Sequence, residues 1–295
     1  MRVVLPLLAL TLASGCEAPT FPALPVPRAA HGAAVIDGLI LVAGGASEEG
    51  NTARLDILDP AKGEWRKGRD LPTPRAFPGV VALEGALFVL GGMRGREGHL
   101  ATVERYDPKR DLWEPRTPLG LARSRFACAT VSGSIVVAGG YLGDGDTDTV
   151  EVYDPGKDAW RPGPPLPLKI HGLAAAVLLG KLHLFGGFGD GAIHLRLDGD
   201  CWTRLRPMGT ARIFLAADVV GGKILAAGGR VQDAPLEAYD PAKDAWAPLR
   251  GMQRSVNRFA AVAFEGRFVA LGGEGIDGRF VDAVVVYDPA TDRWR

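Results

Sequence analysis

The sequence predicts an all-β chain folded as a six-bladed propeller with four antiparallel strands per blade, and three recurring features predict it. A pair of glycines after an apolar run recurs at Gly44-Gly45, Gly91-Gly92, Gly139-Gly140, Gly186-Gly187, Gly228-Gly229 and Gly272-Gly273, at steps of 47, 48, 47, 42 and 44 residues. One tryptophan follows each pair in register: Trp65, Trp113, Trp160, Trp202, Trp246 and Trp294 are all six in the chain. Five of the intervening apolar segments end in Asp-Pro, at Asp59-Pro60, Asp107-Pro108, Asp154-Pro155, Asp240-Pro241 and Asp288-Pro289. A period in the forties, made of short apolar runs punctuated by turn residues, is that of a propeller blade. The blades fall at about 28–72, 75–119, 123–166, 169–207, 212–250 and 254–295.

Each element has a physical reason. The glycine pair lets the backbone leave the second strand with positive φ and at close approach, where a Cβ would obstruct it. Asp-Pro starts a turn because the carboxylate accepts nearby backbone N–H groups while proline presets φ. The tryptophan offers a large apolar face to the neighbouring blade, since one four-stranded sheet buries too little alone. Blade 4 departs from the pattern: Asp198-Gly199 replaces Asp-Pro and Trp202 follows four residues after Asp198, a spacing that fits a tight hairpin. The chain has one residue after Trp294, so the sixth outer strand is short, and residues 16–27 are expected to serve as tether and closing strand. Thr20 to Pro25 resembles the stretch that follows Trp160, and such a strand would hide an open sheet edge.

Composition narrows the function classes. Lys+Arg and Asp+Glu both number 34, for a formal net charge of +0, so no whole-molecule field favours nucleic acid or an acidic membrane surface. The first fifteen residues read as a signal segment: Arg2 supplies the positive end and Val3 to Leu12 an apolar run too short to span a bilayer. Small residues then lead into Cys16 and resemble the lipobox of bacterial lipoproteins, whose cysteine is acylated. This implies a protein held at the cell envelope by its N-terminal lipid, with Glu17 favouring the outer membrane; separately, the chain is expected to be a monomer. Cys128 and Cys201 then remain, in different repeats and at different points of the repeat, so no disulfide framework is implied.

The pattern of an opening Arg, a strand ending in Gly-Gly, a Tyr-Asp-Pro turn and a Trp resembles the kelch repeat over residues 28–295. The face bearing the loops after the second and fourth strands holds the segments that vary in length and charge, and variable loops on a rigid scaffold are where binding concentrates. Sixteen positions before each glycine pair stand Arg28, Arg75, Arg123, Ile170, Arg212 and Val256. The four arginines match acids three residues before the turn aspartate, at Asp56, Glu104, Glu151 and Glu237, which reads as structural pairing.

Two residues further in, the register reads Ala30, Phe77, Arg125, Gly172, Phe214, Arg258. In a six-fold ring this sets Phe77 opposite Phe214 and Arg125 opposite Arg258 at the channel mouth. The kelch resemblance implies that arginines here clamp acidic ligands; the alternative is residual similarity between duplicated three-blade halves. The expected function is therefore a binding protein with no cofactor, for a peptide, glycan or protein ligand. The enzymatic alternative is a sugar-acid mutarotase or epimerase, because exported six-bladed kelch propellers include a sialic acid mutarotase. Arg125 or Arg258 would hold the sugar carboxylate there, and Glu274 or His99 would move the proton.

Other constellations fail. Asp144, Asp146 and Asp148 are spaced as in a calcium loop, but Thr149 and Pro155 stand where an EF-hand needs Gly and Glu. A looser Ca²⁺ site competes there with a plain solvated acidic loop. No histidine pair has metal-like spacing, and no nucleophile elbow or phosphate loop occurs. Metabolic labelling with a palmitate analogue should mark the protein, and Cys16→Ser should abolish the label; an unlabelled wild type would refute the lipid anchor.

Overall fold

The computed structural model describes residues 20–95, 98–233 and 235–295; the expected signal segment and Cys16 lie outside them. Six sheets of antiparallel strands follow one another along the chain. Blade 1 comprises Gly32–Ile36, Leu39–Ala43, Leu55–Asp59 and Glu64–Lys67, ordered from channel to rim, and the other blades repeat that order. Blade 6 differs in a long hairpin, Arg267–Gly275 with Phe280–Asp288, and in the extra strand Val256–Asn257 paired to it. The chain is thus a six-bladed β-propeller, as its repeats predict.

The apolar core is divided into six clusters, each straddling two neighbouring blades. Blades are therefore stabilised mainly by the sheets beside them, as in any stacked repeat architecture. Each tryptophan also reaches back one blade. Trp113 Nε1 donates to the Arg69 carbonyl (2.8 Å), Trp160 to Thr117 (2.9 Å) and Trp294 to Arg250 (2.7 Å). The turn chemistry supports this outer seam. Tyr106 and Tyr153 hydroxyls donate to Asp111 and Asp158 (both 2.6 Å), and those carboxylates accept the backbone N–H of Arg69 and Thr117 in the preceding repeat.

Closure differs in one respect from the expectation. Residues 20–27 form no β-strand; the outer strand of blade 6 is the chain's own Arg293–Trp294, with Val286 and Arg295 exchanging backbone hydrogen bonds of 2.8 and 2.9 Å. Pro22, Pro25 and Pro27 lack the N–H a ladder requires, which explains the irregular path. The segment nevertheless occupies the place that follows the tryptophan in other repeats. Leu24 N–H donates to Asp282 O (2.7 Å) as Leu71 N–H does to Ala53 O (2.7 Å). Trp65 Nε1 donates to the Pro22 carbonyl (3.0 Å), and Phe21 and Leu24 enter the core between blades 6 and 1.

Three histidines are buried in this frame. His31 Nε2 donates to the Leu271 carbonyl (3.0 Å) across the closing seam. His183 Nδ1 lies 2.9 Å from His194 Nε2, and His194 Nδ1 lies 3.3 Å from the Arg206 carbonyl. Burial lowers the pKa of His31 and His194 from 6.5 to about 3 and that of His183 to about 4, so all three are neutral when folded. The unfolded chain takes up protons at these residues below pH 6.5 while the folded one does not. Stability should therefore hold above pH 6.5 and fall towards pH 4, by up to about 1.4 kcal/mol per pH unit for each histidine. Thermal melts between pH 7.5 and 4.5 check this: His31→Gln, which keeps a donor without titrating, should flatten the pH dependence, and an unchanged slope would refute the assignment.

Candidate functional site

The mouth is positioned by the opening residue of each blade. Arg28, Arg75, Arg123 and Arg212 pair with Asp56, Glu104, Glu151 and Glu237 at 2.6, 2.7, 2.6 and 2.9 Å, all with their side chains buried or nearly so. Arg75, Arg123 and Arg212 also donate to the first glycine's carbonyl in their own blade (3.0, 2.9 and 3.1 Å), and Arg28 to the Val42 carbonyl (3.2 Å). The structural pairing expected from the sequence is present in all four blades, and it fixes where the chain turns inward.

Two residues later comes the mouth ring. Ala30, Phe77, Arg125, Gly172, Phe214 and Arg258 all have positive φ, between 53° and 72°. For the five that are not glycine this left-handed conformation costs roughly 1 kcal/mol or more each. Main-chain bonds running round the circle offset that cost. Phe77 N–H donates to Ala30 O, Gly172 to Arg125 O, Phe214 to Gly172 O, Arg258 to Phe214 O and Ala30 to Arg258 O, at 2.6–3.1 Å. Side chains of the ring are consequently splayed from a collar of peptide groups.

The two phenylalanines do more than face each other: their ring centroids are 5.5 Å apart, tilted by 40°, so they fill the mouth instead of flanking an open one. The guanidinium carbon of Arg125 sits 4.9 Å from the Phe77 centroid and that of Arg258 lies 5.1 Å from the Phe214 centroid, within cation–π range. Above this floor remains a shallow depression of about 140 Å³. A polar cavity of about 290 Å³ adjoins it through Arg258, lined also by Arg230, Asn257 and Glu274.

The arginines are not equivalent. Arg258 Nη1 bonds the Glu274 carboxylate (2.5 Å), whereas Arg125 has no carboxylate within ion-pair distance among the described residues. The polar contact of Arg125 is a weak one, from Nη2 to Met93 Sδ at 3.9 Å. Its Nε is buried without a partner. Burial first, and the like charge of Arg258 second, lower the Arg125 pKa, while Tyr141 and Asp146 act in the opposite direction. Burial and Arg125 likewise lower the pKa of His99, whose Nδ1 contacts Ser124 Oγ (3.1 Å).

A second set of residues, missed by reading the inner register alone, completes the site. Tyr141 lies under Arg125 (5.5 Å) and between His99 and His171. His171 donates from Nδ1 to Asp146 (2.7 Å) and stacks on Phe188 at 5.1 Å. The signal was the position after each glycine pair, which reads Ala46, Met93, Tyr141, Phe188, Arg230, Glu274 and rises from the same face. Asp146, one of the three carboxylates spaced like a calcium loop, is turned to His171. Among the described residues no three His, Cys, Asp or Glu side chains gather to hold a metal ion, so Asp144, Asp146 and Asp148 do not converge. Cys128 is half-buried and Cys201 exposed, both free.

Comparison with known proteins agrees with the repeat architecture. The kelch motif matches residues 27–72, 74–120 and 122–167. Kelch-like protein 36 of Rattus norvegicus is 29% identical over 92% of this chain, and Kelch-like protein 34 of Homo sapiens 31% identical over 92%. Kelch-like protein 26 of Mus musculus is 36% identical over 37%. The chain spans 40%, 39% and 19% of those relatives' own lengths. The solved structure of YjhT superposes with a TM-score of 0.81 at 16% identity, covering 93% of this chain and 99% of that one, which shows a shared fold.

Proposed function

We propose that this chain, whose blades are kelch repeats, is a binding protein that receives a carboxylate-bearing ligand at the propeller mouth, on Arg125 and Arg258. The observation that carries this reading is Arg125: half-buried, stacked between Phe77 and Tyr141, and lacking a carboxylate partner among the described residues. A partly desolvated guanidinium is stabilised by an incoming anion, and charge-assisted bonds from two arginines would orient it. Phe77, Phe214 and Phe188 supply apolar and stacking surface beside those charges. Export and tethering through Cys16 belong to the same reading and rest on the residues before that cysteine.

Replacing Arg125 and Arg258 by alanine together should leave the melting temperature nearly unchanged, because Ala30 occupies the same ring position with the same φ. Affinity for an anionic ligand, drawn from a thermal-shift screen of acidic peptides and sugar acids, should fall by about 2–5 kcal/mol. Calorimetric unfolding and titration of the double variant check both halves. A collapse of folding with affinity intact would make the arginines structural.

One observation favours a second reading, a sugar-acid mutarotase or epimerase: the Glu274 carboxylate lies against Arg258 beside the 290 Å³ polar cavity. A proton-moving carboxylate facing an anion-holding arginine is what such a reaction needs. Magnetisation-exchange NMR on a sugar acid should then show anomer interconversion that Glu274→Gln abolishes; no acceleration by the wild type eliminates this reading.

A further inference from the structure

The mouth ring repeats after three blades, and its two arginines are answered differently by the chain. In each blade the residue after the glycine pair stands sixteen places beyond the ring residue, which gives Glu274 to Arg258 and Tyr141 to Arg125. The backbone register is the same in both blades, because Asn257 pairs with Glu274 as Ser124 pairs with Tyr141. The guanidinium groups are also set alike, each against phenylalanine: that of Arg258 lies 5.5 Å from the Phe77 centroid and 5.1 Å from that of Phe214, and that of Arg125 lies 4.9 Å from Phe77. In blade 6 a carboxylate of the chain itself occupies the ring arginine, Glu274 on Arg258 at 2.5 Å. In blade 3 the same register holds a neutral ring, whose hydroxyl donates to the Gly143 carbonyl (2.9 Å).

We propose that Glu274 is a built-in counter-ion that sets the charge of the ligand: the mouth accepts one carboxylate, on Arg125, and rejects a second at Arg258. The inference rests on the reading of the mouth as an anion site and names the class of anion, a monocarboxylate with an uncharged polar remainder. The ligand supplies to Arg125 what Glu274 supplies to Arg258. A second carboxylate beside Glu274 would meet a like charge in a partly desolvated site, and such repulsion discriminates between ligands that share every other group. Hydroxyl and amide groups escape it, since Arg258 keeps further N–H donors and Glu274 still accepts. Asn257 and Gln232 line the same cavity. The other charges nearby do not cancel this arrangement. Arg230, which also lines that cavity, is exposed and screened by water, and Asp146 is bonded to His171 (2.7 Å).

The test is calorimetric titration of the full chain with D-gluconate and D-glucarate, which share one hydroxylated carbon skeleton and carry one and two carboxylates. Wild type should bind gluconate about tenfold more tightly than glucarate, and Arg125→Ala should abolish the binding of gluconate. Glu274→Gln should bring the ratio of the two dissociation constants down by about tenfold, through tighter binding of glucarate. Tyr141→Glu gives Arg125 the counter-ion that Arg258 already has; it should weaken gluconate by about tenfold, and Tyr141→Gln, which removes the ring without adding charge, should bind several-fold better than Tyr141→Glu. If wild type binds both acids equally and Arg125→Ala abolishes both, the anion site stands and the role of Glu274 is overturned. An unchanged ratio in Glu274→Gln overturns it as well. Binding of neither acid overturns this inference together with the reading it rests on.

Discussion

Everything in this propeller depends on one main-chain hydrogen bond made six times. The second glycine of each pair donates its N–H to the carbonyl of the residue opening the next blade: Gly45 to Arg75, Gly92 to Arg123, Gly140 to Ile170, Gly187 to Arg212, Gly229 to Val256 and, closing the circle, Gly273 to Arg28, all at 2.8–3.0 Å. The first glycine makes this approach possible. A Cβ on Gly91, Gly139 or Gly228 would stand 2.7, 2.6 or 2.5 Å from that same carbonyl. The opening residue thus links two blades, its carbonyl serving one and its side chain the other.

That double duty explains the buried charges. A guanidinium removed from water is costly unless paired and hydrogen-bonded, and each of these arginines meets a carboxylate together with a backbone carbonyl of its own blade. Where the acid is lost the arginine is lost too, in Ile170 with Leu195 and Val256 with Val285, because either charge alone would be stranded. The mouth obeys a different economy. Its collar is held by backbone groups, and its two arginines differ: Arg258 is paired with Glu274, whereas Arg125 has no carboxylate within ion-pair distance among the described residues.

The architecture was legible because its determinants are local and repeated: glycine spacing, Asp-Pro turns and tryptophan register. The opening arginines and their acids could be matched for the same reason. The shape of the mouth was less accessible. Phe77 and Phe214 read as opposed from six-fold geometry, but their contact across the axis depends on the left-handed φ of the ring, which no residue type in the pattern announces. Tyr141 and Phe188, which contact His171, entered the site through a second register that becomes visible only when loops from the second strand are brought over the first. The closing segment was recognised by its likeness to the stretch after Trp160, yet its three prolines settled how it would lie.

The seam between blades 6 and 1 has a temporal side. The bond from Gly273 to Arg28 joins residues 245 positions apart, and His31 reaches Leu271 across 240. At roughly 5–20 residues per second of synthesis, Arg28 waits on the order of 10–50 s for its donor to exist. Five blades can stack in that interval, while the face of the first blade, with Phe21 and Leu24, lacks the apolar partners Val262, Val269, Leu271, Val284 and Val286 that blade 6 later supplies. Circularisation is therefore the late, high-contact-order step of folding. The nascent arc, not the finished ring, is the form of this chain most exposed to misassembly.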